Sequence, residues 1–418
     1  MEDNRDDSLD KKIEQDLQKL TGTLSGPSTK SSRTHEPQFI HEEYRAPWGG
    51  TLRLVLVLGV IVVFLLALLV LFQPFIPAYD NNVITPKHVN NATSGIEYEI
   101  EDLSVSHPYA IAAASDGLLY SYVANWSQNN NPGTISVIAM DSGTVLNSVK
   151  IGSDPTAIAV TPNNKYVYVT NWGSGTVSVI STSNYTVIGT INVGDFPFGI
   201  AATPNEKYIY VTGSKNVSVI STSDNKVVDS IKNASSPTAV PVVAPNGSDV
   251  YIAQGDGNIS VISTSNNTLV HSIKIGNILQ CGIIPQCIAI SQSGKYIYAL
   301  SPNPSTNSGS ISVISVNNGT ILSTINVGNS PGGMVVSPGG QYLYVTNEST
   351  NQSNFFGSIS VISTSTDTII GSIKKVIDPF EVAVVSSPDG QFLSTTARSE
   401  GNVSVNVVSV VAFNISSP

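Results

Sequence analysis

The chain has 418 residues, with Lys+Arg 20 against Asp+Glu 30, a formal net charge of −10 and only 12% charged residues. That is about half the usual share for a soluble domain, and an acidic chain so poor in arginine cannot neutralise a run of phosphates, which excludes nucleic-acid binding. Two Cys in this length exclude a disulfide-stapled scaffold and a cysteine-rich metal module.

Residues 1–52 read as a cytoplasmic, largely disordered tail. One helical hint interrupts it: in SLDKKIEQDLQKLTG, Ser8 can cap, Leu9, Ile13, Leu17 and Leu20 share a face, and Gly22 would end the helix. From Leu54 to Phe72 runs LVLVLGVIVVFLLALLVLF, apolar throughout and free of charge. As a helix it would span about 28 Å, the thickness of a bilayer core. Arg45 and Arg53 precede it and the next basic residue after it is Lys87, so residues 53–73 read as a signal anchor with a cytoplasmic N-terminus and the rest of the chain outside. A cleaved signal peptide fits less well, because the preceding region is long and no small-x-small site follows Phe72. Residues 74–95, with Pro74, Pro77 and Pro86, read as a short stalk.

Asn-x-Ser/Thr triplets occur at Asn91, Asn125, Asn184, Asn216, Asn233, Asn246, Asn258, Asn266, Asn318, Asn347, Asn351, Asn402 and Asn414, all on the side expected to be external. Composition alone generates many such triplets, since this part is rich in Asn, Ser and Thr. Only one arginine, Arg398, follows residue 53. Together these describe a glycosylated, cation-poor exterior. Sparse charge also points to an archaeal surface in an acidic habitat, where exposed carboxylates carry little charge and little stability rests on them.

Residues 96–418 repeat. Pro108, Pro155, Pro197, Pro237, Pro285, Pro331 and Pro379 each open a unit, at spacings of 47, 42, 40, 48, 46 and 48. Each proline is followed by an alternating run such as TAIAVTP (156–162), a turn, a Tyr-rich run such as KYVYVTN (165–171), a loop, a VSVIST-type run (177–182), a second turn and a run such as TVIGTINVG (186–194). Four period-2 segments per unit are four antiparallel strands, and a period of this length marks a propeller blade. The fold class expected is therefore all-β, a seven-bladed β-propeller preceded by a single transmembrane helix and a short cytoplasmic tail.

Tyr168-Val169-Thr170-Asn171 and Tyr344-Val345-Thr346-Asn347, with partial copies starting at Tyr122, Tyr210, Tyr251 and Tyr298, resemble the YVTN family of seven-bladed β-propellers. The seventh repeat departs, reading Ser394-Thr395-Thr396-Ala397 at that place. Propellers of this type often close by lending an N-terminal strand to the last blade. IEYEIEDLSV (96–105) is the candidate for its outer strand, and NVSVNVV (402–408) for its third. The resemblance implies a surface or S-layer-associated protein, although related propellers include lactonases, lyases and quinoprotein or copper enzymes.

Chemistry-bearing clusters are sparse. His88, His107 and His271 share no motif spacing, and there is no HExxH, CxxC or GxSxG. No catalytic residue, metal site or cofactor is expected, and the enzyme reading stands only as the alternative. Cys281 and Cys287, external on this topology, read as a disulfide bracing an enlarged loop, with a metal pair as the weaker option. Trp126, Trp172, Phe355 and Phe356 on or beside the loops between second and third strands, with Phe196, Phe198 and Phe380 from the blade connections, fall on one face. Such rings suit sugar or protein contacts, or each caps its own blade. The partners expected are the membrane, through one pass, and an envelope or S-layer protein or glycan.

Overall fold

The structure is a computed structural model that describes residues 87–89, 95–101, 107–115, 119–127, 131–194, 196–232, 239–275, 286–303, 308–348, 356–377, 379–387, 390–397 and 407–413. The tail, the apolar segment Leu54–Phe72 and most of the expected stalk lie outside these residues. Among the described residues no helix is long and apolar enough to cross a membrane.

Six repeats each fold as a four-stranded antiparallel sheet in chain order. The second is representative, with Pro155–Val160 innermost, then Tyr166–Asn171, Thr176–Ser181 and Thr186–Asn192. The innermost strands of neighbouring sheets touch one another, as Pro108–Ser115 does Pro155–Val160 on one side and Pro379–Ser387 on the other. A further sheet has five strands. From the inside it runs Pro379–Ser387, Gly390–Ala397, Val407–Phe413, Gly95–Glu101 and Lys87–Val89.

Gly95–Glu101 pairs along its whole length with Val407–Phe413, so the N-terminal strand does complete the last sheet. The third strand of that sheet is not 402–408 but Val407–Phe413, which pairs with Gln391–Thr396. The later segment, VVSVVAF, has a single polar residue, whereas NVSVNVV has three. A strand flanked on both sides in a packed sheet selects the more apolar option. Lys87–Val89, inside the segment read as stalk, adds an outermost strand by pairing with Glu97–Glu99.

The sheets pack face to face, because a lone four-stranded sheet cannot bury two apolar faces. Ile135 and Tyr122 of the first sheet lie against Val167, Val169 and Ile180 of the second. Tyr168, Val177 and Val179 of the second meet Ile209, Val211 and Ile220 of the third. The series ends where it began: Tyr344 and Ile359 meet Val382 and Leu393, while Ala383 and Val385 of that five-stranded sheet pack on Ile111, Val123 and Ile138. The ring is closed, an all-β propeller with no sheet face left open at either end of the array.

In three of the YVTN-like runs the tyrosine carries a second tie. Tyr168, Tyr210 and Tyr344 are fully buried. Their hydroxyls donate to Asn225 Oδ1 at 2.6 Å, Asn267 Oδ1 at 2.6 Å and Gln391 Oε1 at 2.5 Å, each on the following sheet. Burial pushes the Tyr168 phenol up to about 12, so it stays a neutral donor. Asn225 and Asn267 also hold φ of 56° and 55° in the turn before the outer strand. One residue thus closes a hairpin in the left-handed region, which asparagine tolerates, and accepts the neighbour's hydrogen bond. Asn225→Ala is expected to cost roughly 2 kcal/mol, about half from the hydrogen bond and half from the backbone. Asn225→Gly should recover the backbone half, as read from paired urea titrations.

Candidate functional site

In the first, second and sixth sheets the proline and the asparagine of the YVTN-like run meet at one end, where Pro108 pairs with Asn125, Pro155 with Asn171 and Pro331 with Asn347. The residue before the proline takes positive φ at His107 (56°), Asp154 (53°), Phe196 (56°) and Ser330 (40°). Each is a costly backbone state for a residue with a side chain. It is held by a repeated hydrogen bond: the N–H of Trp126, Trp172 and Glu348 donates to the carbonyl of His107, Asp154 and Ser330 at 2.9, 2.8 and 3.0 Å. The side chains before the prolines are thereby turned onto one face, beside the loops that join second and third strands.

On this face the tryptophans reach one blade onward. The Trp126 indole donates to the Asp154 carboxylate, and Trp172 lies on Phe196 with ring centroids 4.7 Å apart and planes inclined at 37°. Asp154 is buried, and desolvation raises its pKa while the Trp126 hydrogen bond opposes the rise. Trp126 (40%), Trp172 (41%), Phe196 (48%) and Phe356 (50%) remain exposed. The tryptophans thus contact the next blade instead of capping only their own, and four of the rings stay exposed.

Two expected members of this surface differ, and a third is not among the described residues. Phe380 is buried, edge-on to Tyr109 with centroids 6.1 Å apart, because it sits on the innermost strand and turns inward. Phe198 is only half exposed. Phe355 lies outside the described residues. Two triplet asparagines are also core residues. Asn125 Nδ2 donates to Thr134 and Ser136 hydroxyls at 3.0 and 2.9 Å, and Asn347 Nδ2 donates to Ser360 Oγ at 3.0 Å, both in the sheet interior. Asn171 makes the same pair of bonds, and a methyl group at Gly152 would lie 2.6 Å from its Cγ. The YVTN asparagine is therefore a bracket between second and third strands. Cys287 is buried and disulfide-bonded, and its sequence partner Cys281 lies outside the described residues.

The innermost strands also hold a group that sequence reasoning missed. Two residues after the proline, six repeats carry Ala110, Ala157, Gly199, Ala239, Cys287 and Gly333, and the last carries Glu381. Glu381 is fully buried, and its Oε2 accepts the Ile111 N–H across the ring closure at 3.0 Å. Beside it, Gln286 Oε1 accepts the Val382 N–H at 3.3 Å in space that Gly333 leaves open. Burial pushes the Glu381 carboxyl up to about 8, only partly offset by the Ile111 hydrogen bond. A charged residue in a column of small ones was the available signal. Among the described residues no group of three or more His, Cys, Asp or Glu could hold a metal ion.

Comparison with known proteins adds the fold. Residues 79–193 match the family model described as Lactonase, 7-bladed beta-propeller, and residues 239–385 match that of the Choice-of-anchor I domain. No curated protein sequence matches the chain. Among solved structures, Kuenenia stuttgartiensis Hydrazine Synthase is similar at a TM-score of 0.60 and 21% identity, over 73% of this chain and 96% of that one. At that identity the likeness is one of fold.

Because Glu381 is neutral below about pH 8 and would ionise near 4.5 when unfolded, its burial favours the folded state in acid. That contribution is complete below pH 4.5 and is lost as pH rises toward 8. At about 1.4 kcal/mol per unit the loss amounts to roughly 3–5 kcal/mol. Glu381→Gln should flatten the decline in urea midpoint between pH 5 and 8. An unchanged slope would assign the decline to other groups.

Proposed function

We propose that this chain is a membrane-anchored, glycosylated surface propeller of the YVTN type, seven-bladed when the five-stranded sheet is counted, that binds an envelope or S-layer protein or glycan. Leu54–Phe72 would be its anchor, with the propeller outside. The observation that carries the binding reading is the Trp172–Phe196 pair. Two large rings packed on each other stay about half exposed on a face whose backbone is held in a strained, repeated conformation. Flanking Trp126 widens this surface across two blade junctions. Rings of this kind stack on the apolar faces of sugars and fill shallow protein pockets.

The test uses the full chain in detergent or nanodiscs, screened on a glycan array and in pull-downs from envelope extracts. Trp172→Ala with Phe196→Ala should weaken the captured interaction at least tenfold, about 1.4 kcal/mol, while the melting curve shifts by only a few degrees. Equal binding by the double variant would remove the aromatic face from the proposal.

A lactonase- or lyase-like enzyme is the second reading, favoured by Glu381 as a neutral buried acid beside the ring closure and by the family model over residues 79–193. Turnover of a lactone panel by the wild type, abolished in Glu381→Gln, would establish it.

A further inference from the structure

Not all of the triplet asparagines can be modified, and the described ones sort by position. Asn125 and Asn347 are buried at the proline end with their amide nitrogens already donating. Asn216 and Asn258 open third strands, and their triplet hydroxyls belong to Ser218 and Ser260, both buried. Asn246 is exposed in the turn between first and second strands of the fourth sheet, but its triplet hydroxyl, on Ser248, donates to Asp249 Oδ2 at 2.5 Å. Asn184, Asn266 and Asn318 differ from these five. They occupy the same exposed turn, between third and outer strands, in the second, fourth and fifth sheets. This turn lies at the end away from the prolines, where Thr182 and Thr264 donate to the carbonyls of Asn164 and Gly247 in the other turn of that end.

In all three the triplet threonine is aligned with its asparagine. The Thr186 hydroxyl donates to Asn184 Oδ1 at 2.8 Å, the Thr268 hydroxyl to Asn266 Oδ1 at 2.9 Å and the Thr320 hydroxyl to Asn318 Oδ1 at 2.8 Å. The amide oxygen is engaged, and all three asparagines are exposed to solvent. Hydrogen bonding to the oxygen withdraws electrons from the carbonyl and fixes the amide in one orientation.

We propose that Asn184, Asn266 and Asn318 are the N-glycosylation sites of a sugar-bearing rim at the end of the propeller opposite the aromatic face, and that Asn125 and Asn347 are never modified in the folded protein. This rests on the external location of the propeller proposed above. The donor is a polyprenyl-phosphate- or pyrophosphate-linked sugar. Nδ2 bonds to the anomeric carbon, the carbon–oxygen bond to phosphate breaks, the polyprenyl phosphate leaves with the electron pair, and the amide proton passes to a base of the transferase. Modification after folding cannot reach Asn125 or Asn347, and modification before folding would keep their strands from pairing.

The test is site-by-site glycopeptide mass spectrometry on the full chain purified from its native membranes. Sugar is expected on Asn184, Asn266 and Asn318, with Asn125 and Asn347 bare. Thr186→Ala, Thr268→Ala and Thr320→Ala should each remove one glycan from the intact mass with circular dichroism unchanged, and threonine to serine should restore it. Bare rim sites, or sugar on Asn125 or Asn347, would overturn the proposal. A chain with no sugar that still binds through Trp172 and Phe196 would sink the rim and leave the binding face intact.

Discussion

Face-to-face burial between neighbouring sheets is the constraint on which the rest of this protein depends. A four-stranded sheet with valine and isoleucine on both faces is not stable in water, and each sheet here is covered only by its neighbours. The demand passes around the ring and ends only when the last sheet meets the first. Closure therefore falls on the five-stranded sheet, which borrows Gly95–Glu101 from the other end of the chain. Its inner strand lies between Val335 on one side and Ile111 on the other. The least typical sequence of the set occupies the position where the two ends are tied.

Apolar contact is tolerant of sliding, and the directional bonds supply register. The buried tyrosine hydroxyl reaches a turn on the following sheet, and the YVTN asparagine brackets second and third strands within its own. These polar groups stand on the same short strand, only three residues apart. A single tetrapeptide thus sets both the spacing between blades and the pairing within one, which is why it survives in recognisable form where loop lengths vary.

The period, the four strands per unit and the N-terminal contribution to the last sheet were legible because proline, turn residues and period-2 alternation are local signals. The third strand of the last sheet was not, since 402–408 and 407–413 both alternate and only the packed environment ranks them. Phe380 and Phe196 both neighbour a blade-opening proline, yet one follows it on the inner strand and the other precedes it with positive φ. Two residues of offset relative to the proline separate a core ring from a surface ring. Asn125 and Asn347 satisfy a modification motif that carries no information about depth, and the fold buries both. Glu381 was readable in principle, by aligning the repeats and asking what replaces alanine and glycine, but its neutral state depends on burial that no spacing reveals.

The two ends of the sheets are built by different means, and this gives the molecule a polarity. At the proline end strained residues and stacked rings make a rigid, partly apolar surface. At the other end every four-stranded sheet has a bulge in its outer hairpin, and the extra residue is Leu146, Ile188, Val228, Val270, Leu322 or Ile370. All six are exposed, at 40–57%. A bulge twists the outer edge and hinders its pairing with another chain, which protects a fold that presents so many edge strands. An aliphatic side chain at the bulge works against that protection, because it offers an apolar contact beside the free edge. Sugar on the adjoining turns would resolve the conflict in the second, fourth and fifth sheets by covering the exposed chain without adding charge. In the first, third and sixth the turns hold Asp141, Asp224 and Asp367 instead, so a carboxylate stands where the sequence lacks the triplet.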